Sequence, residues 1–133
     1  ADHGQLGGGP EAIVRLQDHP ELRDYLLLPP SGGPRAVYLF TRHSLADAAG
    51  AYIRNHLSDQ QAAVDSTQAL AAGLLGPVHP MSEADYRVGD VLVLGRGRHV
   101  FRHREPKFQV LGVHGGLSAS EMLVPLLMTR LDW

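Results

Sequence analysis

Two short stretches carry residues whose types and spacing could do chemistry. Asp2-His3-Gly4 sets a carboxylate beside an imidazole, and such oxygen and nitrogen donors suit zinc or manganese. Adjacent residues on a regular strand face opposite ways. The two can therefore serve one ion only where the backbone turns, and Gly4 permits a turn. A solvated loop is the competing reading of so short a motif. The second stretch centres on His114, which follows Val110, Leu111 and Val113 and precedes Gly115-Gly116. Those glycines let backbone pass close to whatever the imidazole touches. Ser118-x-x-Glu121 then matches a capping box, which would start a short helical turn and fix where His114 points. The competing reading of a histidine after a strand is a structural one.

Other polar residues invite plainer readings. Arg87, Arg96, Arg98, Arg102, Arg104 and Lys107 are half of the 12 Lys and Arg residues. Clustered cations can neutralise phosphates, as in an anion or nucleic-acid contact. With few aromatic stacking partners among them, the solvated polar face of a hairpin is the preferred reading and nucleic acid is not expected. His99 and His103, four apart on an expected strand, would stand about 13 Å from each other, too far for one ion. His19, His43, His56 and His79 show no ligand spacing. Ser44, Ser66 and Thr67 stand at expected helix starts and read as caps rather than nucleophiles. Gly7-Gly8-Gly9 has no following Lys-Ser/Thr and is no phosphate loop.

These residues need a scaffold, and the 133-residue chain is long enough for about one domain. Its 44% hydrophobic and 20% charged content is that of a globular protein, and its net charge of −2 gives no general pull toward nucleic acid or anionic membrane. Without cysteine there are no disulfides, thiolates or zinc–cysteine sites. No apolar run is long enough to cross a bilayer, no signal peptide is visible, and the balance leans toward a cytoplasmic location. The chain starts at Ala1, and Asp2-His3 resembles the end of a strand, so the expectation is a fragment or a processed chain.

Local pattern predicts the elements. A short helix is expected after Pro20. PPSGGP at 29–34 is a breaker, and RAVYLFTR at 35–42 is a buried strand. Ser44 is the expected N-cap of a helix from Leu45 to about Leu57, followed by a strand at 61–67 and a helix ended by Gly73 or Gly76. Asp90–Leu94 and Arg98–Arg102 read as a hairpin joined by a Gly-Arg-Gly turn. Tyr38, Phe40, Tyr52 and Phe101 read as core packing. The fold class expected is α/β.

Taken together, Asp-His-Gly at 2–4 and His-Gly-Gly-Leu-Ser-x-x-Glu-Met-x-Val-Pro-Leu at 114–126 resemble the C-terminal part of the alkaline phosphatase superfamily. The nearest branch is the type I phosphodiesterase/nucleotide pyrophosphatase group with its PglZ-like relatives, and PPSGGPRAVYLF and RVGDVLVLGRGR extend the likeness along the chain. The resemblance implies a two-metal phosphohydrolase acting on a phosphate ester or nucleotide-like substrate. Asp2 and His3 would be ligands of one divalent ion and His114 of the other, zinc before manganese. It also implies an alkaline-phosphatase-like core from 1–34 and 87–133, with an α/β cap at 35–86. The family's nucleophile and its Asp-x-x-x-His motif have no counterpart in this chain. The expectation is therefore a C-terminal piece, inactive alone, whose partner is the remainder of a catalytic domain. A non-catalytic phosphatase-like module, or an anion- or nucleic-acid-binding one using the basic hairpin, is the alternative.

Overall fold

Every second residue from Arg35 to Thr41 is buried, so one face of this strand supplies Val37 and Leu39 to the core while Tyr38 and Phe40 lie half-buried on the other. The computed structural model describes residues 2–77, 83–105 and 111–130. His79, Lys107 and Val110 lie outside them. Within this range β1 is Ile13–Arg15, β2 Ser31–Gly33, β3 Ala36–Leu39, β4 Gln61–Asp65, β5 Val91–Gly95 and β6 Val100–Arg102. The helices are α1 Pro20–Asp24, α2 Ala46–His56, α3 Ser66–Ala71, α4 Ala84–Arg87 and α5 Ala119–Met122.

β2, β3, β5 and β4 form, in that order, an antiparallel sheet, while β1 and β6 pair in parallel. The molecule is thus mixed α/β, as the sequence pattern predicts at that level. Val37 pairs with Val93 and Leu39 with Val91. As an inner strand covered on both faces, β5 carries a continuous apolar run, and Val91, Leu92 and Val93 are all buried. α2 turns Ala49, Gly50 and Ile53 inward. Leu16, Leu22 and Leu26 complete the cluster from the N-terminal side. The antiparallel sheet takes strands from all three segments, 1–34, 35–86 and 87–133. No helix among the described residues is long and apolar enough to cross a membrane.

Four local expectations are corrected. The strands near 90–94 and 98–102 exist but do not form a hairpin. Both edges of β5 are occupied, by β3 and β4, so β6 runs on to pair with β1, Phe101 against Val14. Ser44 does not cap α2. It sits at φ 62°, and the N-cap position falls to Leu45 without a side-chain bond. PPSGGP does more than break the chain, because Ser31–Gly33 pairs back onto β3 as an edge strand. At α3 the cap is Asp65 rather than Ser66 or Thr67, its Oδ1 accepting from the Gln68 amide at 2.8 Å, while Ser66 Oγ donates to the Val88 carbonyl.

Candidate functional site

The two motif-bearing stretches meet through backbone pairing. Leu6 and Val113 exchange hydrogen bonds of 2.7 and 2.9 Å, and the Gly4 amide donates to the Glu121 carbonyl at 2.9 Å. These bonds lay residues 2–6 along 113–121. The imidazoles of His3 and His114 stack as a result, with ring centroids 3.7 Å apart and planes 16° from parallel.

Nδ1 of His3 lies 3.0 Å from the Gly4 carbonyl. A carbonyl can only accept, so Nδ1 carries the proton and leaves Nε2 with the lone pair in the neutral ring. That Nε2 is 3.9 Å from Oδ1 of Asp2. An ion bound at about 2.0–2.2 Å from each donor spans such a gap. The Asp2 carboxylate is almost fully exposed, at 93%, whereas the His3 ring is one-third exposed at 35%. The structure therefore brings Asp2, His3 and His114 to one place. It does not gather them around a single point: among the described residues, no three His, Asp or Glu side chains are grouped as a metal site. Lone pairs of near-parallel rings lie in separate planes and do not converge on one ion.

The loop after His114 is explained residue by residue. Gly115 has φ 104°, a conformation that favours glycine. Gly116 is buried, and a Cβ there would stand 2.7 Å from Glu121 Oε2 and 3.0 Å from Arg35 Nη2. Ser118 and Glu121 do not form the expected capping box. Ser118 Oγ donates to Glu121 Oε2 at 2.7 Å, and the Gly116 amide donates to Oε1 at 2.9 Å. The carboxylate is drawn inward by Arg35, whose Nε and Nη2 donate to its two oxygens at 2.9 and 2.8 Å. Arg35 Nη1 donates also to the His99 carbonyl. The Arg35 hydrogen bonds, with those from Ser118 and Gly116, outweigh burial and hold the Glu121 carboxyl at about 2.

Beside His114 opens a cleft of about 770 Å³. Pro34, Val37 and Phe101 line it as apolar residues, Gly32 and Gly33 of β2 add backbone, and Arg102, His103, Arg104 and Glu105 contribute the charge. The basic stretch is partly neutralised, Arg87 by Glu83 at 2.8 Å and Arg102 by Glu105 at 3.8 Å. Elsewhere His19 bonds Tyr52 at 3.1 Å and Tyr52 packs on His56, a structural cluster at the core margin.

The sequence pattern shows Arg35 only as the start of a buried strand, not as the anchor of this loop. The alternation of 35, 37, 39 and 41 was the signal that it points inward. No protein-family model, curated protein or solved structure matches the chain.

Proposed function

We propose that Asp2, His3 and His114 belong to a two-metal phosphohydrolase centre of the alkaline-phosphatase-like type, in the phosphodiesterase/nucleotide pyrophosphatase branch that the sequence resembles. The observation that carries this reading is the stacking of His3 on His114 at 3.7 Å. In-plane lone pairs of parallel rings lie in two separate planes, so the two imidazoles fit two ions better than one. The ring separation falls within the spacing of about 3.5–4 Å between the ions of two-metal sites. Bound divalent ions supply charge stabilisation to the attacking and leaving oxygens of an in-line displacement at phosphorus.

In this reading Asp2 Oδ1 and His3 Nε2 hold one position. The Gly4 carbonyl fixes the His3 tautomer, the usual role of a second partner on a ligating imidazole. His114 serves the other position. Three donors do not fill two coordination shells, so other polypeptide, the remainder of a catalytic domain, supplies the missing ligands and the nucleophile. The apolar run Met122–Met128 offers such a partner a surface: Leu126, Leu127 and Met128 are 80%, 93% and 85% exposed.

The test is elemental analysis after dialysis against trace zinc and manganese. The expected result is retained metal that is lost in His114→Ala and released by acid as the ligands protonate. A chain that retains no metal under these conditions overturns Asp2, His3 and His114 as a metal site in this chain by itself.

A further inference from the structure

We propose that Arg35, acting through Glu121, is the positioning residue of the His3–His114 pair and sets the separation and parallel alignment of the two imidazoles. The role of these rings toward metal rests on the phosphohydrolase reading, whereas their positioning stands on hydrogen bonds alone. Local structure does not hold the pair in place. His114 is exposed, His3 partly so, and neither lies in a strand or helix. Among the described residues their two stretches share one isolated bridge, Leu6 with Val113, and α5 has only four residues. A ring stack at the surface gains too little to order two loops against their conformational entropy.

What orders them starts in the sheet. The Arg35 carbonyl accepts from the Gly95 amide at 2.9 Å, so its backbone continues the pairing of β3 with β5. Its side chain passes close to Gly95, where a Cβ would collide with the guanidinium, and reaches Glu121 through two bonds of 2.9 and 2.8 Å. A two-pronged bond of this kind fixes orientation as well as distance. Glu121 then branches to both histidine stretches. Its Oε1 accepts from the amide of Gly116, two positions after His114, at 2.9 Å. Its carbonyl accepts from the amide of Gly4, one position after His3, also at 2.9 Å. That approach is so close that a Cβ on Gly4 would collide with the Ser120 carbonyl oxygen. Ser118 Oγ, donating to Oε2 at 2.7 Å, keeps the carboxylate from turning. Both charged side chains are buried, so water cannot stand in for either partner. Both rings are thereby referred to one point of the central sheet. Groups that orient a ligating imidazole from behind carry much of a site's metal affinity.

The experiment records NMR cross-relaxation between the ring protons of His3 and His114 in the metal-free chain, then measures the zinc affinity of the same samples. The wild type should show the ring contact. In Arg35→Met/Glu121→Leu, which strands no charge, the amide signals of β3 and β5 should persist while the ring contact disappears. Zinc affinity should fall about tenfold or more, as when the outer support of a ligand is removed. Should that variant not fold, Arg35→Lys keeps the charge without the fork, and it too should lose the contact. Ile53→Val, a core loss in α2 that leaves the ion pair alone, should keep both contact and affinity. A folded Arg35 variant with the wild-type ring contact overturns the proposal. So does a wild type without the contact, or its loss in Ile53→Val. A wild type that binds no zinc overturns the metal reading, and the ring contact alone then decides the positioning. Zinc bound equally by the wild type and the folded double variant overturns the positioning role and leaves the metal reading.

Discussion

Arg35 and Glu121, 86 positions apart in sequence, face each other as a two-pronged ion pair with N–O distances of 2.9 and 2.8 Å and side chains 0% and 1% exposed. Arg35 also holds the His99 carbonyl of the turn leading to β6. Glu121 gathers the Gly116 amide and the Ser118 hydroxyl, and its own carbonyl receives the Gly4 amide. One buried pair therefore joins the central sheet to both stretches that carry the histidines. Every oxygen of the carboxylate is engaged, which is the condition for tolerating such a pair away from water.

Removing one partner leaves a buried charge alone. Glu121→Ala or Arg35→Ala should each cost about 3–5 kcal/mol, read from urea unfolding. The double variant Arg35→Met/Glu121→Leu should cost much less than the sum of the two single losses, because neither charge is then stranded. Strictly additive losses would show that the two side chains act independently.

Acid tests the same pair with a definite sign. The Glu121 carboxyl, ordinarily near 4.5, is lowered to about 2 by Arg35, Ser118 and the Gly116 amide against the opposing effect of burial. A group depressed on folding stabilises fully above its unfolded value, and that contribution fades as pH falls from there toward its folded value. Wild-type stability should therefore decline between about pH 4.5 and 2. In Glu121→Gln the decline over this window should be shallower, since no carboxylate titrates at that position. Equal slopes in the two proteins would remove Glu121 as its source.

What could be read from sequence was whatever local periodicity encodes. The α2 helix and the strands β3, β4 and β5 fall where apolar spacing places them, and the helix after Pro20 starts as proline dictates. Periodicity assigns faces but not neighbours, so nothing local told that β4 would take the edge of β5 expected for β6. The site shows the same division. Residue type and resemblance single out Asp2, His3 and His114, and the fold brings them together. Ser118-x-x-Glu121 has the spacing of a capping box, yet the carboxylate turns to Arg35 and the Gly116 amide, partners that spacing alone does not reveal.

Gly116 offers a probe that leaves every charge in place. A Cβ would crowd both members of the ion pair, at 2.7 and 3.0 Å, so Gly116→Ala should cost about 1–3 kcal/mol, as overpacking does. Because the displaced loop carries His114, the imidazole signals of His3 should move with those of His114 in this variant. A stability loss with the His3 signals unmoved would show that the loop gives way without disturbing the ring stack.

The opposite case is Gln61, at the start of β4. It is 1% exposed, and neither its Nε2 nor its Oε1 has a hydrogen-bond partner among the described residues. A buried amide without partners costs about 1–3 kcal/mol in lost hydration. Leucine has a similar reach and no polar atoms, so Gln61→Leu should stabilise the chain by about 1 kcal/mol or more, raising its melting temperature by a few degrees. The backbone bonds of this residue lie on the other side of the balance: its amide donates to the Leu57 carbonyl at 2.7 Å, and its register opposite Gly95 is set by the ladder, so both persist in the variant. A melting temperature that falls instead would show that the amide is satisfied in solution, by water reaching the edge strand.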